Sequence, residues 1–368
     1  MQAKVQTRQF VPKGGTGLRE YHSIIRAPRA VEGNASACGF EAQLQAVLEA
    51  LGCIAGERNI SFVRFYLGDV ANQQSVLENA VGAMRPALSG VPVSVIGQPP
   101  LDGTKIAAWV YSTVGEPGDC ELEWDVCLQG TPGLGDGSGL AAGTAGAQMY
   151  GAFSRYSQIM GNRGLTIAQD CVRTWIYVHD VDVNYQGIVR GRCRFFNSIG
   201  LTPETHFIAS TGIEGSNEDP HCTVVMDALS VRGLRPEQLQ YLHAYDHLSP
   251  TAEYGVTFER GTAVHFSDRT HIYISGTASI DSKGQVLYPG DVRKQTLRML
   301  ENISALLAEA EACLEDTAVA TVYLRDMADY LTVKETIESE IPGLNAVYVL
   351  APVCRPAWLM EMECIALI

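Results

Sequence analysis

The chain has 368 residues, 46% apolar and 18% charged, with a net charge of −14. That length suits two or three domains with sizeable cores, and the acidic balance disfavours binding to a phosphate backbone. No stretch approaches the ~20 consecutive apolar residues of a membrane helix, and the start, MQAKVQTRQFVPKGGTGLRE, holds no apolar run of signal-peptide type. The ten cysteines contain no CxxC pair, and among the eight histidines His243 and His247 stand four apart without an HExxH context. These patterns predict reduced core thiols, no metal site and a cytoplasmic protein.

Along the chain, one structural unit is predicted three times. The first begins with a strand at HSIIRAPRAV (22–31), followed by a helix from Phe40, Leu44, Val47, Leu48 and Leu51 at helical spacing. SFVRFYLGDVANQQSVL (61–77) is a β-rich run closed by Asp69, then a helix-like stretch. PVSVIGQPPLDGTKIAAWVY (92–111) reads as strand, turn, strand, and STVGEPGDC (112–120) marks a boundary.

The second unit repeats the order with CLQGTPGL (127–134), a stripe of Tyr150, Phe153, Tyr156 and Ile159, RTWIYVHDVDVNYQGIV (173–189) with Asp180, and the strand pair of 206–231. Its glycine-rich 130–146 segment lacks the Lys-Ser/Thr of a phosphate loop and is expected to be a flexible surface excursion. RGLRPEQ (232–238) closes it. The third unit has YISGTASI (273–280), a helix from Val292, Thr296, Met299, Ile303, Leu306, Leu307 and Ala310, ATVYLRDMADYLTVKET (320–336) with Asp326, and VYVLAPVCRPAWLMEMECIA (347–366). Gly130 and Gly276 are 146 residues apart, as are Asp180 and Asp326, which implies a nearly gapless duplication. The fold expected is α+β, with three tandem β-β-α-β-α-β-β units at 1–117, 118–235 and 236–368.

The last strand raises the chemical question. Glu361 and Glu363 alternate with Met360, Met362 and Cys364, so both acids share one face of a buried strand. Two buried carboxylates need partners, or one must be protonated. A protonated, desolvated glutamate can act as a general acid near neutral pH, and an ionised one can hold a water. The alternative is a buried ion pair between units. Arg355, in a Cys-Arg-Pro turn, suits a bidentate clamp on a carboxylate or a pairing with those acids. RGRCR (190–194) reads as a solvated helix face, although its arginines and Arg173 are candidates to reach a site from the middle unit.

The third unit resembles the RidA (YjgF) family, whose members carry SGQ or SGT at a strand end, then GD…QT…ENI, VYLxDMxD and a terminal VEIExIA. Here the sequence reads ISGTASI, GDVRKQTLRMLENI, VYLRDMAD and MEMECIA over about 100 residues. The first two units match mainly through FYLGDV and IYVHDV. RidA proteins are homotrimers of a chorismate-mutase-like unit with sites between subunits, so the resemblance implies an intrachain pseudo-trimer. A second resemblance, to the chorismatases, rests on LHAYDHLSPTAEYGVTFERGTAV (242–264) before ISGTASI and on PVCRPAWLMEME. DSKG (281–284) departs from the sequence that often follows there.

These resemblances imply a cofactor-free enzyme acting on a small carboxylated metabolite. Glu363 would handle the reacting water or proton with Glu361 supporting or solvent-exposed, and Arg355 would bind the substrate carboxylate. Ser275 and Thr277 would lie beside the substrate, Arg260 would take a second carboxylate, and Tyr254 would form a lid or wall. The turns GQPPLDG and STGIEG hold no arginine, implying that the other two clefts have degenerated. The expected activity is hydrolysis of an enolpyruvyl ether of a cyclic carboxylate, with enamine or imine deamination and non-catalytic metabolite binding as alternatives. No nucleic acid or membrane is expected as partner, and the chain would be a monomeric pseudo-trimer or associate further.

Overall fold

The computed structural model describes all residues except 1, 15–16, 30–38, 85–86, 117, 119, 131–138 and 252–254. The centre of the glycine-rich excursion and Tyr254 therefore lie outside the described residues.

The first unit runs β1 (Lys4–Phe10), β2 (Arg19–Arg26), α1 (Phe40–Glu57), β3 (Asn59–Leu67), α2 (Val70–Ala83), β4 (Val93–Gly97) and β5 (Ile106–Val114). The second runs β6 (Glu121–Leu128), α3 (Ala145–Asn162), α4 (Ile167–Asp170), β7 (Cys171–Val178), α5 (Val181–Ser198), β8 (Ala209–Glu214) and β9 (Val224–Arg232). The third runs β10 (Leu239–Leu242), β11 (Gly261–His265), β12 (Thr270–Thr277), α6 (Val292–Glu309), β13 (Thr317–Leu324), α7 (Tyr330–Glu340), β14 (Ala346–Leu350) and β15 (Met360–Leu367).

The sheet orders are β1-β2-β5-β3-β4, β6-β9-β7-β8 and β10-β11-β12-β15-β13-β14. Each contains the same four-strand core, in which β3–β4, β7–β8 and β13–β14 are the parallel pairs. The first unit follows the expected β-β-α-β-α-β-β order. Among the described residues the second opens on a single strand, and the third adds β10 in front. The shorter second unit has a local cause: the turn after β5 leads almost directly into β6. In that turn Gly115 has a positive φ of 92°, and a Cβ there would lie 2.6 Å from the Gly17 carbonyl oxygen. Only glycine fits so close a backbone approach.

The three anchor aspartates occupy helix starts. Asp69 and Asp180 are the residues preceding α2 and α5, and the Asp326 side chain accepts from Ala328 N–H ahead of α7. The helical stripes pack on their own sheets, as amphipathic spacing requires. Leu44, Val47, Leu48 and Leu51 are buried on α1, and Met299, Ile303, Leu306 and Leu307 on α6. No helix among the described residues is long and apolar enough to cross a membrane.

The opposite sheet faces meet in a shared core that draws Trp109 from the first unit, Trp175 from the second and Tyr323 from the third. This explains why β7 and β15 are buried along their whole length: helices cover one face and neighbouring units the other. Each seam between units also buries an ion pair. Arg64 Nη2 lies 2.8 Å from Asp227 Oδ2, Arg173 Nη2 lies 2.6 Å from Glu363 Oε2, and Arg269 Nε lies 2.9 Å from Glu20 Oε1. Such pairs add little net stability over apolar packing but are costly to break from one side. Each one joins a different pair of units.

Candidate active site

The seam between the second and third units gathers the two acids of β15 and the arginines singled out in the sequence. Both acids of β15 point at the second unit, as strand alternation predicts. Glu363 pairs opposite Thr321 and Glu361 opposite Tyr323 in the β13–β15 register. Their surroundings then diverge.

Glu363 is enclosed. Its Oε2 accepts from Arg173 Nη2 at 2.6 Å and its Oε1 from Trp175 Nε1 at 2.8 Å, both donors on β7. It lies outside the cleft lining described next. Glu363, expected to handle the reacting water, is thus engaged as a seam ion pair. Arg173, expected to reach substrate, reaches Glu363 and the Thr211 hydroxyl instead. Thr211 also accepts from Gly276 N–H at 2.9 Å, tying β8 to the end of β12.

Glu361 lies one pleat along, where the seam opens into a narrow cleft with about 30 Å³ of interior room. The cleft is lined from the third unit by Glu361, Arg355 and Arg260, and from the second by Arg192, Tyr185 and Ser210. Glu361 makes no ion pair among the described residues. Burial, reinforced by the charge on Glu363 and opposed by Arg173 and Arg260, pushes its carboxyl up to about 8. The group is therefore mostly protonated at neutral pH. A Cβ on Gly276 would lie 1.9 Å from Glu361 Oε1. The glycine of the SGT motif is the position that lets the carboxyl sit against the strand.

Three arginines line the cleft with this acid. Arg260 donates from Nη2 to the Ser249 carbonyl at 3.0 Å and lies 5.3 Å from the Phe258 ring centroid. Arg355 lies 5.1 Å from the Trp358 ring centroid, within cation–π reach. Arg192 crosses the seam from α5, donating from Nε to Thr257 Oγ1 at 3.0 Å and from Nη1 to Ser210 Oγ at 3.4 Å. Burial lowers its pKa from the usual arginine value, yet a guanidinium stays charged at working pH.

Arg192 departs from the solvated face expected for RGRCR. Arg190 and Arg194 are exposed, while Arg192 is buried among Ile188, Phe195 and Phe196 on the inner stripe of α5. The signal was present in the spacing: Arg192 stands four after Ile188 and three before Phe195. Ser275 and Thr277 also differ from expectation. Ser275 Oγ donates to the Glu259 carbonyl and accepts from Ser210 N–H, and Thr277 Oγ1 donates to the Ser275 carbonyl. Neither lines the cleft; their hydroxyls hold backbone. Cys354 does line it, but burial pushes its thiol up to about 12, so it is no thiolate nucleophile at neutral pH.

Against known proteins, the family model for Endoribonuclease L-PSP matches residues 260–368, the third unit. A RutC family protein of Pyrococcus abyssi is 36% identical over 97 residues, 26% of this chain and 76% of the relative. The 3-aminoacrylate deaminase RutC of Acinetobacter baylyi is 34% identical over 77 residues, 21% of this chain and 52% of the relative, about half its length. Among solved structures, a chorismatase superposes with a TM-score of 0.64 at 16% identity, covering 99% of this chain and 98% of that one. At that identity the likeness is one of fold, and it extends over all three units.

Proposed function

The chain belongs to the RidA/RutC family, and from that premise we propose that it is a cofactor-free hydrolase that cleaves the enolpyruvyl ether of a cyclic carboxylate. Glu361 is the acid. Its proton passes to the terminal methylene carbon of the enolpyruvyl group, leaving an oxocarbenium-like centre at the ether carbon. Water adds to that carbon and returns a proton to the Glu361 carboxylate. The resulting hemiketal collapses to pyruvate and the ring alcohol, so the acid is regenerated each cycle.

Arg355, Arg192 and Arg260 hold the carboxylates of such a dianionic substrate and keep the reacting carbon beside Glu361. Charge-stabilising donors of this kind each supply about 3–4 kcal/mol in a water-poor site. Glu363 acts by positioning: its ion pair with Arg173 locks β15 against β7 and its negative charge helps keep Glu361 protonated. The observation that carries the proposal is the convergence of a carboxyl with a pKa of about 8 and three arginines on one inter-unit cleft. The test is pyruvate release from chorismate by the wild-type protein and by Glu361→Gln. No turnover by wild type rejects the substrate class, and wild-type turnover by the variant rejects the role of Glu361.

A second reading draws on the cleft's small interior, about 30 Å³, and on the similarity to a 3-aminoacrylate deaminase. In it one arginine holds the carboxylate of a three-carbon enamine or imine, and Glu361 assists addition of water with release of ammonia. Ammonia release from enzymatically generated 2-aminoacrylate, faster with the protein than without it, separates this chemistry from the first.

A further inference from the structure

The repeat gives the Glu361 cleft a counterpart on another seam. The Glu361 cleft takes one wall from α5 and β8 of the second unit and the other from β15 and the turn before it. The matching elements one unit on are α7 and β14 of the third unit, set against β2 and the β4–β5 turn of the first. They enclose a pocket of about 830 Å³, within the roughly 300–1,000 Å³ of small-molecule sites.

This pocket differs at the positions that matter in the first. Ala107 pairs opposite Tyr66 as Glu361 pairs opposite Tyr323, so an alanine stands in the place of the acid. Glu338, 146 residues after Arg192, stands in the place of that arginine, and Asp102 occupies the turn equivalent to that of Arg355. The acid and two clamps of the Glu361 cleft are therefore replaced. Cations enter from elsewhere: Lys4, Arg26, Arg29 and Lys334 line the pocket against Asp102 and Glu338. That is a surplus of two positive charges, in a chain with 27 basic and 41 acidic residues. We infer that this pocket is a binding site for a small hydroxylated dianion, a sugar phosphate, separate from the Glu361 cleft.

Arg26 is the anchor. Among the described residues it forms no ion pair; its Nη1 donates to Gln6 Oε1 at 3.2 Å and its Nη2 to the Ala346 carbonyl. Burial lowers its pKa, with Asp102 opposing, yet the guanidinium stays charged. A partly desolvated cation held by neutral acceptors favours an anion beside it, and its planar fork matches phosphate oxygens. Lys334 Nζ is placed 5.7 Å from the Tyr330 ring centroid, and the Tyr330 and Tyr348 rings meet edge to face at 5.6 Å. Burial raises the pKa of both phenols, so they remain O–H donors at neutral pH. Asp102 and Glu338 supply the acceptors that sugar hydroxyls need. Each is held from its own chain: Asp102 Oδ1 accepts from Thr104 N–H at 3.1 Å and Glu338 Oε1 from Gly343 N–H at 3.0 Å.

The walls are tied across the seam before any ligand enters. Leu101 N–H donates to the Tyr348 carbonyl at 2.9 Å, Leu350 N–H to the Pro99 carbonyl at 2.8 Å, and Gln6 Nε2 to the Gly343 carbonyl at 2.9 Å. Binding therefore has little ordering to bring about.

The experiment is calorimetric titration of the full chain at low salt with glucose 6-phosphate, and it needs no turnover. Glucose, inorganic phosphate and malate are the comparison ligands. Glucose 6-phosphate should bind at one site, more tightly than phosphate or malate, with glucose giving no saturable heat. Arg26→Gln and Lys334→Ala should each weaken it about 10-fold, the scale of one hydrogen bond to a charged group. Lys334 is exposed on α7, so Lys334→Ala keeps the fold and decides alone if Arg26→Gln does not fold. Arg355→Ala should leave the affinity unchanged. No saturable binding of glucose 6-phosphate overturns the site. So does binding that survives the pocket variants, or that is lost in Arg355→Ala, which would put the anion in the Glu361 cleft. Equal affinity for malate or inorganic phosphate overturns the sugar phosphate assignment.

Discussion

Ionisation of Glu361 should be visible in the protein's stability. Its carboxyl is buried and rises from 4.5 to about 8 on folding, with burial as the leading cause. A folded-state pKa above the unfolded one means that the native state keeps a proton the unfolded chain releases. Stability is therefore unaffected below about pH 4.5, falls as pH rises toward 8, and levels off above it. A shift of that size corresponds to about 5 kcal/mol at full ionisation, an upper bound because water entering the cleft relaxes the cost. Glu361→Gln keeps the shape and removes the titration. Urea unfolding of both proteins at pH 5, 7 and 9 measures the difference. The variant should gain on wild type by several kcal/mol between pH 5 and 9, most of it by pH 8. Parallel stability curves would refute a protonated, desolvated Glu361.

Other perturbations separate the residues of the seam. Glu363→Ala leaves Arg173 buried without its partner and should cost about 3–5 kcal/mol of stability, read as a lowered urea midpoint. Gly276→Ala places a methyl where Glu361 Oε1 sits; it should displace the acid and lower kcat about 100-fold, the scale of a 1 Å misplacement, with a near-native circular dichroism spectrum. Arg192→Lys should raise KM by 10-fold or more, because an ammonium cannot reproduce the planar fork. Arg190→Ala, on the exposed side of the same helix, should leave KM unchanged.

The repeat was legible because its signals are local. The anchor aspartates, the helical stripes of α1 and α6, and the strand–turn–strand endings all depend on residues near one another in sequence. The four-strand core common to the three sheets follows from them. Neither the missing leading strand of the second unit nor β10 in the third was legible, since both turn on where a sheet edge finds a partner. The site was legible in part. Glu361, Arg355 and Arg260 do meet in one cleft, and the shared face of the two acids follows from strand alternation.

Strand alternation could not say which acid faces the cleft and which meets a cation. That depends on Arg173, 190 residues away, and on whether β7 presents Arg173 or a cleft at that level. For RGRCR, charge counting weighed a solvated face above its arginines reaching a site, whereas helical phase puts Arg192 inside. The SGT motif was read for its hydroxyls. In the fold Ser275 and Thr277 secure the backbone, and Gly276 is the residue that makes room for the Glu361 carboxyl.

The most direct test of Glu361 as the acid is the pH dependence of pyruvate release from chorismate. Acid catalysis by a carboxyl with a pKa of about 8 predicts kcat/KM steady through neutrality and falling tenfold per pH unit above about 8. Glu361→Gln should lose most of the activity and that alkaline limb with it. A rate that stays level to pH 10, or a Glu361→Gln variant that keeps the wild-type profile, would contradict the account.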